Sequence, residues 1–198
     1  MDLNYKTNLI FPVPIHQFDV NGFGEIQNEL IDYAYGLKKK EPKGVSLSNY
    51  GGWQSTGFHI ENEDDILHHF IINSLSGFPV IQKSVNIIVN AWVNINKPGD
   101  YNTKHQHPNC NLSGVLWIKA PQNSGEIVFQ SPVEFQTYTE IESYTEEFKN
   151  HNNYFHSYYF TPTEGRILVF PSHLQHEVFE NKSNEDRISV SFNISLRK

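Results

Sequence analysis

Two imidazoles stand two residues apart in His105-Gln106-His107, and on an extended segment such residues project to one side, so that one metal ion can take a nitrogen from each. A pair of this kind also arises among ordinary surface histidines, so alone it leaves both assignments open. A second segment, Gly165-Arg166-Ile167-Leu168-Val169-Phe170-Pro171-Ser172-His173-Leu174-Gln175-His176, reads as a glycine turn, an apolar strand and a proline-led turn that presents histidines at its far end. His173 and His176 compete there as ligands. His176 is preferred because Glu177-Val178-Phe179 resumes a strand that would hold it rigidly. Three imidazoles on one face leave coordination positions open for other molecules. Eleven residues further on, Arg187-Ile188-Ser189 places a guanidinium and a hydroxyl on one face of a strand. A planar, permanently charged fork grips a carboxylate bidentately and the hydroxyl adds a donor. A salt bridge to Glu185, Asp186 or another acid is the competing assignment. His16, His59, His68, His69, His151 and His156 read as structural or surface residues.

The elements that must position these groups show a change of character near Val80. Before it, Leu9 to Ile15 reads as an edge strand, because its two prolines cannot donate ladder hydrogen bonds. Ile26, Leu30, Ala34 and Leu37 recur at helical spacing and run into Lys38-Lys39-Lys40, where cations meet the negative end of the helix dipole. A second helix is expected over Ile66 to Leu75, after acidic Glu63-Asp64-Asp65 and closed by Gly77. Between the helices, Ser48 to Ser55 reads as a loop bearing aromatic and amide side chains.

After Val80 the pattern alternates with period two. Val85, Ile87, Val89, Ala91, Val93 and Ile95 share one face, and Asn86, Ile88, Asn90, Trp92, Asn94 and Asn96 share the other, which is too rich in amides for a dry core and suits a polar cavity. Arg187, Ser189, Ser191, Asn193 and Ser195 repeat the pattern opposite Ile188, Val190, Phe192, Ile194 and Leu196. Further strands are expected at 112–119, 126–130, 153–160 and 166–170. The fold class that follows is mainly β with flanking helices (α+β), the β part being a jelly roll or barrel. Trp92 and Trp117 either wall the cavity or pack in the core, and Gly51-Gly52-Trp53 and the acidic, Tyr-rich segment 133–153 are candidates for its entrance.

Composition narrows the partners. The chain has 198 residues, a formal net charge of −7, 14 Phe and 10 Tyr. That charge argues against a default grip on a nucleic-acid backbone, and the aromatic content argues for a packed core in one domain spanning 1–198, with 1–79 as supporting strand and helices. No apolar run approaches the roughly 20 residues of a membrane span, and the start lacks the layout of an export signal, so a cytoplasmic location is expected. A single cysteine, Cys110, rules out an internal disulfide. The edge strand near Phe11 offers a surface for a homodimer.

The order His-x-His, Gly…Phe-Pro…His and then Arg-x-Ser resembles the 2-oxoglutarate and Fe(II)-dependent oxygenase superfamily, which is built on a double-stranded β-helix. Phe11-Pro12-Val13-Pro14, Ser48 to Ser55, Pro98-Gly99-Asp100-Tyr101-Asn102, His105-Gln106-His107-Pro108, Leu112-Ser113-Gly114-Val115 and Arg187 to Asn193 are similar to a branch of that superfamily from bacteria and their phages, and the similarity spans almost the whole chain. The resemblance implies Fe(II), 2-oxoglutarate and O2 as reactants, His105 and His176 as iron ligands, and Arg187 with Ser189 as the clamp for the distal carboxylate of 2-oxoglutarate. It implies oxidation of a small-molecule or peptidyl substrate, with 2-oxoglutarate decarboxylated to succinate. One position departs: the superfamily usually has Asp or Glu where this chain has His107. If His107 binds, the triad is three neutral histidines; if not, another group or a water completes the sphere. Asn94 and Asn111 are candidates for hydrogen bonds to the keto-acid or substrate, or else they satisfy turns and ladders. Two rivals remain. A cupin-like metalloprotein shares the spacing of Gly99 to His105-x-His107 and three-histidine ligation, but lacks a glutamate over Pro108 to Ser113 and leaves Arg187 and Ser189 without a task. A non-enzymatic jelly-roll binding module would make the histidines incidental.

Overall fold

The computed structural model of the chain describes residues 6, 12–59, 66–72, 75, 86–133 and 141–197. Two antiparallel sheets face each other in a double-stranded β-helix, or jelly-roll, arrangement. The strands of the larger sheet are β1 (His16–Asp19), β3 (Trp53–Gln54), β4 (Phe58–His59), β5 (Asn86–Asn96), β7 (Leu112–Lys119), β10 (Arg166–Pro171) and β12 (Arg187–Arg197), ordered β1-β10-β7-β12-β5-β3 with β4 also on β5. Those of the smaller are β2 (Asn49–Tyr50), β6 (Tyr101–His105), β8 (Ile127–Gln130), β9 (Ser157–Phe160) and β11 (His176–Val178), ordered β2-β6-β11-β8-β9.

Period-two alternation explains which face each strand buries. Helix α1 (Gln27–Lys40) lays Leu30 and Ala34 on the larger sheet, where they pack with Ala91, Val93, Ile95, Leu116, Ile167, Ile188, Val190 and Phe192. Burying each large aliphatic side chain there contributes about 1.5–3 kcal/mol. Glu29 in the first turn and Lys38, Lys39 and Lys40 in the last complement the helix dipole. A second cluster, Val115, Trp117, Ile127, Phe129, Leu168, Phe170 and Leu174, fills one part of the space between the sheets. The rest of that space is a cavity.

The strands β5 and β12 pair over eleven residues without a slip, from Arg187 opposite Asn96 to Arg197 opposite Asn86. Register does shift between Ile188 and Ser189 against β7, and between His176 and Val178 against β6. Both irregularities adjoin the candidate site residues, where a bulge re-aims side chains.

The expected N-terminal strand is displaced. Residues 12–15 are not a strand, since Pro12 and Pro14 lack the N–H a ladder needs, and β1 begins at His16 as an edge strand paired to β10; residues 9–11 lie outside the described residues. The expected second helix is described over 66–72 as a helix that widens to a π-turn at His68–Ile72, while Gly77 lies outside the described residues. The expected loop Ser48 to Ser55 supplies β2 to one sheet and β3 to the other. Within 133–153, Ile141–Ser143 forms a 3-10 turn and α2 (Glu146–Asn152) follows, capped by the Thr145 hydroxyl accepting from the Phe148 N–H. None of its described residues lines the cavity. No helix among the described residues is long and apolar enough to cross a membrane.

Candidate metal centre and its cavity

The smaller sheet places two histidines face to face. His105 ends β6, His176 starts β11, and the two are direct cross-strand partners. His107 follows in a turn held by its backbone N–H on the Ser172 carbonyl at 2.9 Å, while Ser172 Oγ donates to the Cys110 carbonyl at 2.5 Å. Two turns distant in sequence are thereby clasped together. One potential ligand nitrogen from each ring lies within 4.8 Å of the others. Ring centroids are 5.0 Å apart for His105 and His107, 4.4 Å for His105 and His176, and 5.2 Å for His107 and His176.

Hydrogen bonding prepares two of the rings for a metal. The Nδ1–H of His105 donates to the Thr103 carbonyl at 2.7 Å, and that of His176 to the Leu174 carbonyl at 2.9 Å. Each bond fixes the tautomer that leaves the Nε2 lone pair free. Phe129 and Phe170 pack against His176, and Trp92 lies 5.6 Å from His107. Burial is the main reason that all three imidazoles are held below their usual pKa, His107 at about 4 and His176 at about 3. Neighbouring imidazoles push those two down further, so the cluster is neutral near pH 7. Among the described residues no carboxylate joins it. The donor set fits a borderline divalent cation such as iron(II).

The cavity holds about 770 Å³ between the sheets, with the histidines on one side and the polar faces of β5 and β12 on the other. Arg187, Ser189, Ser191 and Asn193 of β12 line it together with Asn90, Trp92 and Asn94 of β5. Arg187 is only 2% exposed. Its Nη1 donates to the carbonyls of Ser124, Gly125 at 3.1 Å and Phe179 at 3.3 Å. Gly125 allows this approach: its φ is +94°, and a Cβ would stand 2.1 Å from the Phe179 carbonyl oxygen and 2.8 Å from Nη1. Burial lowers the Arg187 pKa to about 10, partly offset by Asp100 and Glu126, so the charge persists. Yet no described carboxylate lies within 4.0 Å of it, and neither Glu185 nor Asp186 pairs with it; Glu185 pairs with Lys119 instead. A buried guanidinium without an anion is costly unless an anion arrives. Asn94 is also incompletely satisfied. Its Nδ2 donates to Ser191 Oγ at 3.0 Å and its buried Oδ1 has no described partner. With the amide turned over, the serine hydroxyl would donate to Oδ1 and Nδ2 would face the cavity as a donor.

The structure therefore brings His105, His107, His176, Arg187, Ser189 and Asn94 to one cavity. Asn111 stands apart: it is exposed, and its Oδ1 accepts from the Leu196 N–H at 2.9 Å. His173 is exposed. Trp92 and Trp117 both line the cavity, Trp117 also belonging to the core cluster between the sheets. Gln54 was not singled out in the sequence, although it is 4% exposed, lines the cavity and pairs across the sheet with Asn94. The amide-rich loop was its only signal. Gly51, Gly52 and Trp53 do not line the cavity, and the Trp53 indole N–H is tied to the Glu41 carbonyl at 2.9 Å.

Residues 90–193 match the model of a family described as "Putative 2OG-Fe(II) oxygenase". No curated relative matches the sequence. Among solved structures, the chain is similar to a Pseudomonas putida prolyl-4-hydroxylase at 13% identity and a TM-score of 0.59, covering 94% of each chain. It is similar to the non-haem alpha-ketoglutarate-dependent carbocyclase SnoK from nogalamycin biosynthesis at 8% identity and a TM-score of 0.63, covering 93% of this chain and 80% of that one. A Trichoplax adhaerens prolyl hydroxylase, solved with a hypoxia-inducible-factor peptide fragment, matches at 11% identity and a TM-score of 0.60, covering 91% and 83%. At these identities the likeness is one of fold.

Proposed function

The chain belongs to the 2OG-Fe(II) oxygenase family, and from that premise we propose that it is an iron-dependent oxidoreductase whose metal is held by His105, His107 and His176. The single observation that carries this reading is the convergence of three neutral imidazoles on the wall of a cavity, with no carboxylate joining them among the described residues. That donor set matches the cupin-like three-histidine alternative better than the two-histidine, one-carboxylate arrangement usual in the superfamily. A second observation favours 2-oxoglutarate as co-substrate within this site: the buried, carboxylate-free Arg187, with Ser189 two residues along on the same cavity face, suits the distal carboxylate of a diacid. The cupin-like reading gives these two residues no task.

Iron(II) bound here would supply oxygen activation, and the protein supplies position and surroundings. Backbone carbonyls of Thr103 and Leu174 hold two imidazoles in ligating orientation. Arg187 binds and orients the diacid, Ser189 adds a donor, and Asn94 offers an uncharged hydrogen bond. Trp92, Phe170 and Val115 form apolar walls that limit water.

The deciding experiment is anaerobic titration of the Fe(II)-loaded protein with 2-oxoglutarate, watching for the weak visible charge-transfer band of a chelated keto-acid. A band establishes the co-substrate. Bound iron with no band assigns the protein to the cupin-like reading, and failure to bind iron overturns the metal centre. His107→Ala is expected to weaken Fe(II) binding and His107→Asp to retain it; iron binding unchanged in both would remove His107 from the site.

A further inference from the structure

The polar wall of the cavity is built in rows across the larger sheet. Asn90 of β5, Asn193 of β12 and Ser113 of β7 are direct cross-strand neighbours and form one row. Trp92, Ser191 and Val115 form the next, and Asn94 with Ser189 the one after, followed by Arg187 opposite Asn96. Successive rows are about 7 Å apart, since a strand rises about 3.3 Å per residue. His107 packs on Trp92 of the second row and His176 on Phe170, the cross-strand partner of Ser113 in the first, so the histidine cluster stands over these two rows and Arg187 lies at the far end. The cavity therefore has two ends, or lobes: Arg187 at one, and the Asn90 row, beside the histidines, at the other.

The lobes differ in charge. Arg187 ends one, and no charged side chain belongs to the Asn90 row; Lys104, the other cation of the lining, is exposed on β6 beside His105. No Asp or Glu lines the cavity among the described residues. Within the row, Ser113 is 1% exposed and its hydroxyl donates to Asn193 Oδ1 at 2.8 Å. With the hydroxyl as donor, Asn193 Nδ2 is left as a donor without a described partner. Asn90 has no side-chain hydrogen bond among the described residues, and it borders Gly57, where a Cβ would stand 3.3 Å from its carboxamide. One oriented donor beside one free carboxamide, with opposed Cβ atoms about 5 Å apart, complements a group bearing one carbonyl oxygen and one N–H.

We propose that Asn90 and Asn193 form the substrate-recognition subsite and that the substrate presents an uncharged amide there, Asn193 Nδ2 donating to its carbonyl and Asn90 Oδ1 accepting from its N–H. Ser113 is a positioning residue that acts through Asn193. A substrate ammonium or carboxylate meets no counter-ion in this lobe and is selected against. The inference rests on the metal-centre reading for the identity of the lobe, not on 2-oxoglutarate.

The test is ligand-observed NMR titration of the full chain with N-methylpropanamide, which carries a single amide, its isosteric ester methyl propanoate, which carries none, and free alanine. At least tenfold tighter binding of the amide than of the ester is expected, with alanine weaker than both. Asn90→Ala and Asn193→Ala should each weaken the amide about tenfold and erase the preference over the ester, whereas Ser113→Ala should lose about threefold. Equal affinity for amide and ester on the unaltered chain overturns the proposal without reliance on any variant, as does preferential binding of alanine. Titration of Fe(II) into the same samples under anaerobic conditions keeps the readings separable. Amide preference without iron binding removes only the metal centre, and iron binding without amide preference removes only this subsite.

Discussion

On the helix-covered face of β5 and β12, Ala91, Val93, Ile95, Ile188, Val190, Phe192 and Ile194 are fully buried. On the opposite face of the same strands, Asn90, Trp92, Asn94, Arg187, Ser189, Ser191 and Asn193 line a cavity. Backbone, pairing partners and register are shared, so only side-chain type distinguishes the two. The apolar face holds the sheet to α1 without any polar atom to satisfy. The other carries a guanidinium with no carboxylate within 4.0 Å and a buried Asn94 oxygen with no hydrogen-bond partner among the described residues. One pair of strands thus separates a packed apolar face from a polar cavity face, residue by residue.

The sharpest way to break that comparison is to truncate adjacent residues of β12. Phe192→Ala should lower unfolding free energy by about 3–5 kcal/mol, because it empties a fully buried site; its ring also sits where a Cβ on Gly114 would fall, 2.3 Å from Cζ. Ser191→Ala should cost only about 1–1.5 kcal/mol, the loss of its hydrogen bond with the Asn94 amide. Urea denaturation measures both, and equal costs would mean that the two faces are not functionally divided.

Next in size is a pH effect from the histidine wall. Because burial holds the folded imidazoles below their unfolded pKa of about 6.5, both states are neutral above that value and stability is unaffected. As pH falls below about 6.5 the unfolded chain takes up protons that the folded chain refuses, and stability is lost until His107 protonates at about 4 and His176 at about 3. Between pH 6.5 and pH 4.5 the metal-free protein should lose on the order of 2–3 kcal/mol for each of His107 and His176. A urea midpoint that does not change between pH 7 and pH 4.5 would contradict it, and His176→Asn should flatten the slope.

On the cavity face, Arg187→Met should raise the dissociation constant for 2-oxoglutarate at least tenfold, the scale of one charge-assisted clamp worth about 1.5–3 kcal/mol. Ser189→Ala should raise it about threefold with the thermal midpoint unchanged. Calorimetric affinities equal to the parent's would remove both residues from the co-substrate site. The smallest effect belongs to neither face. Asp19→Asn breaks the surface pair with Arg166, whose Nε lies 2.7 Å from Oδ1, and should cost under about 1 kcal/mol by thermal unfolding.

Much of this was legible in the sequence where a local rule has one dominant cause. Strand β7 runs over Leu112–Lys119 as its alternation indicates, and α1 ends at the lysines that favour a helix C-terminus. The two-faced character of β5 and β12 is written in their period of two. Local rules failed where the cause was distant. The edge strand expected over Leu9 to Ile15 is not formed at 12–15 but begins at His16, where distant β10 supplies the pairing partner, and the widened turn at His68–Ile72 has no local signature. Asn111 shared the amide chemistry of Asn94 but is spent on the Leu196 backbone.

By itself the sequence determined the jelly-roll class, the histidines and arginine able to do chemistry, and the parity that sends polar groups one way and apolar groups the other, since alternation is a property of the strand alone. Tertiary structure decided the rest: that His105 and His176 are cross-strand partners, that the turn bearing His107 is clasped to the one bearing Ser172, and that no carboxylate reaches Arg187 among the described residues. Those facts depend on which strands pair and in what register. Long-range contacts fix both, and spacing along the chain does not encode them.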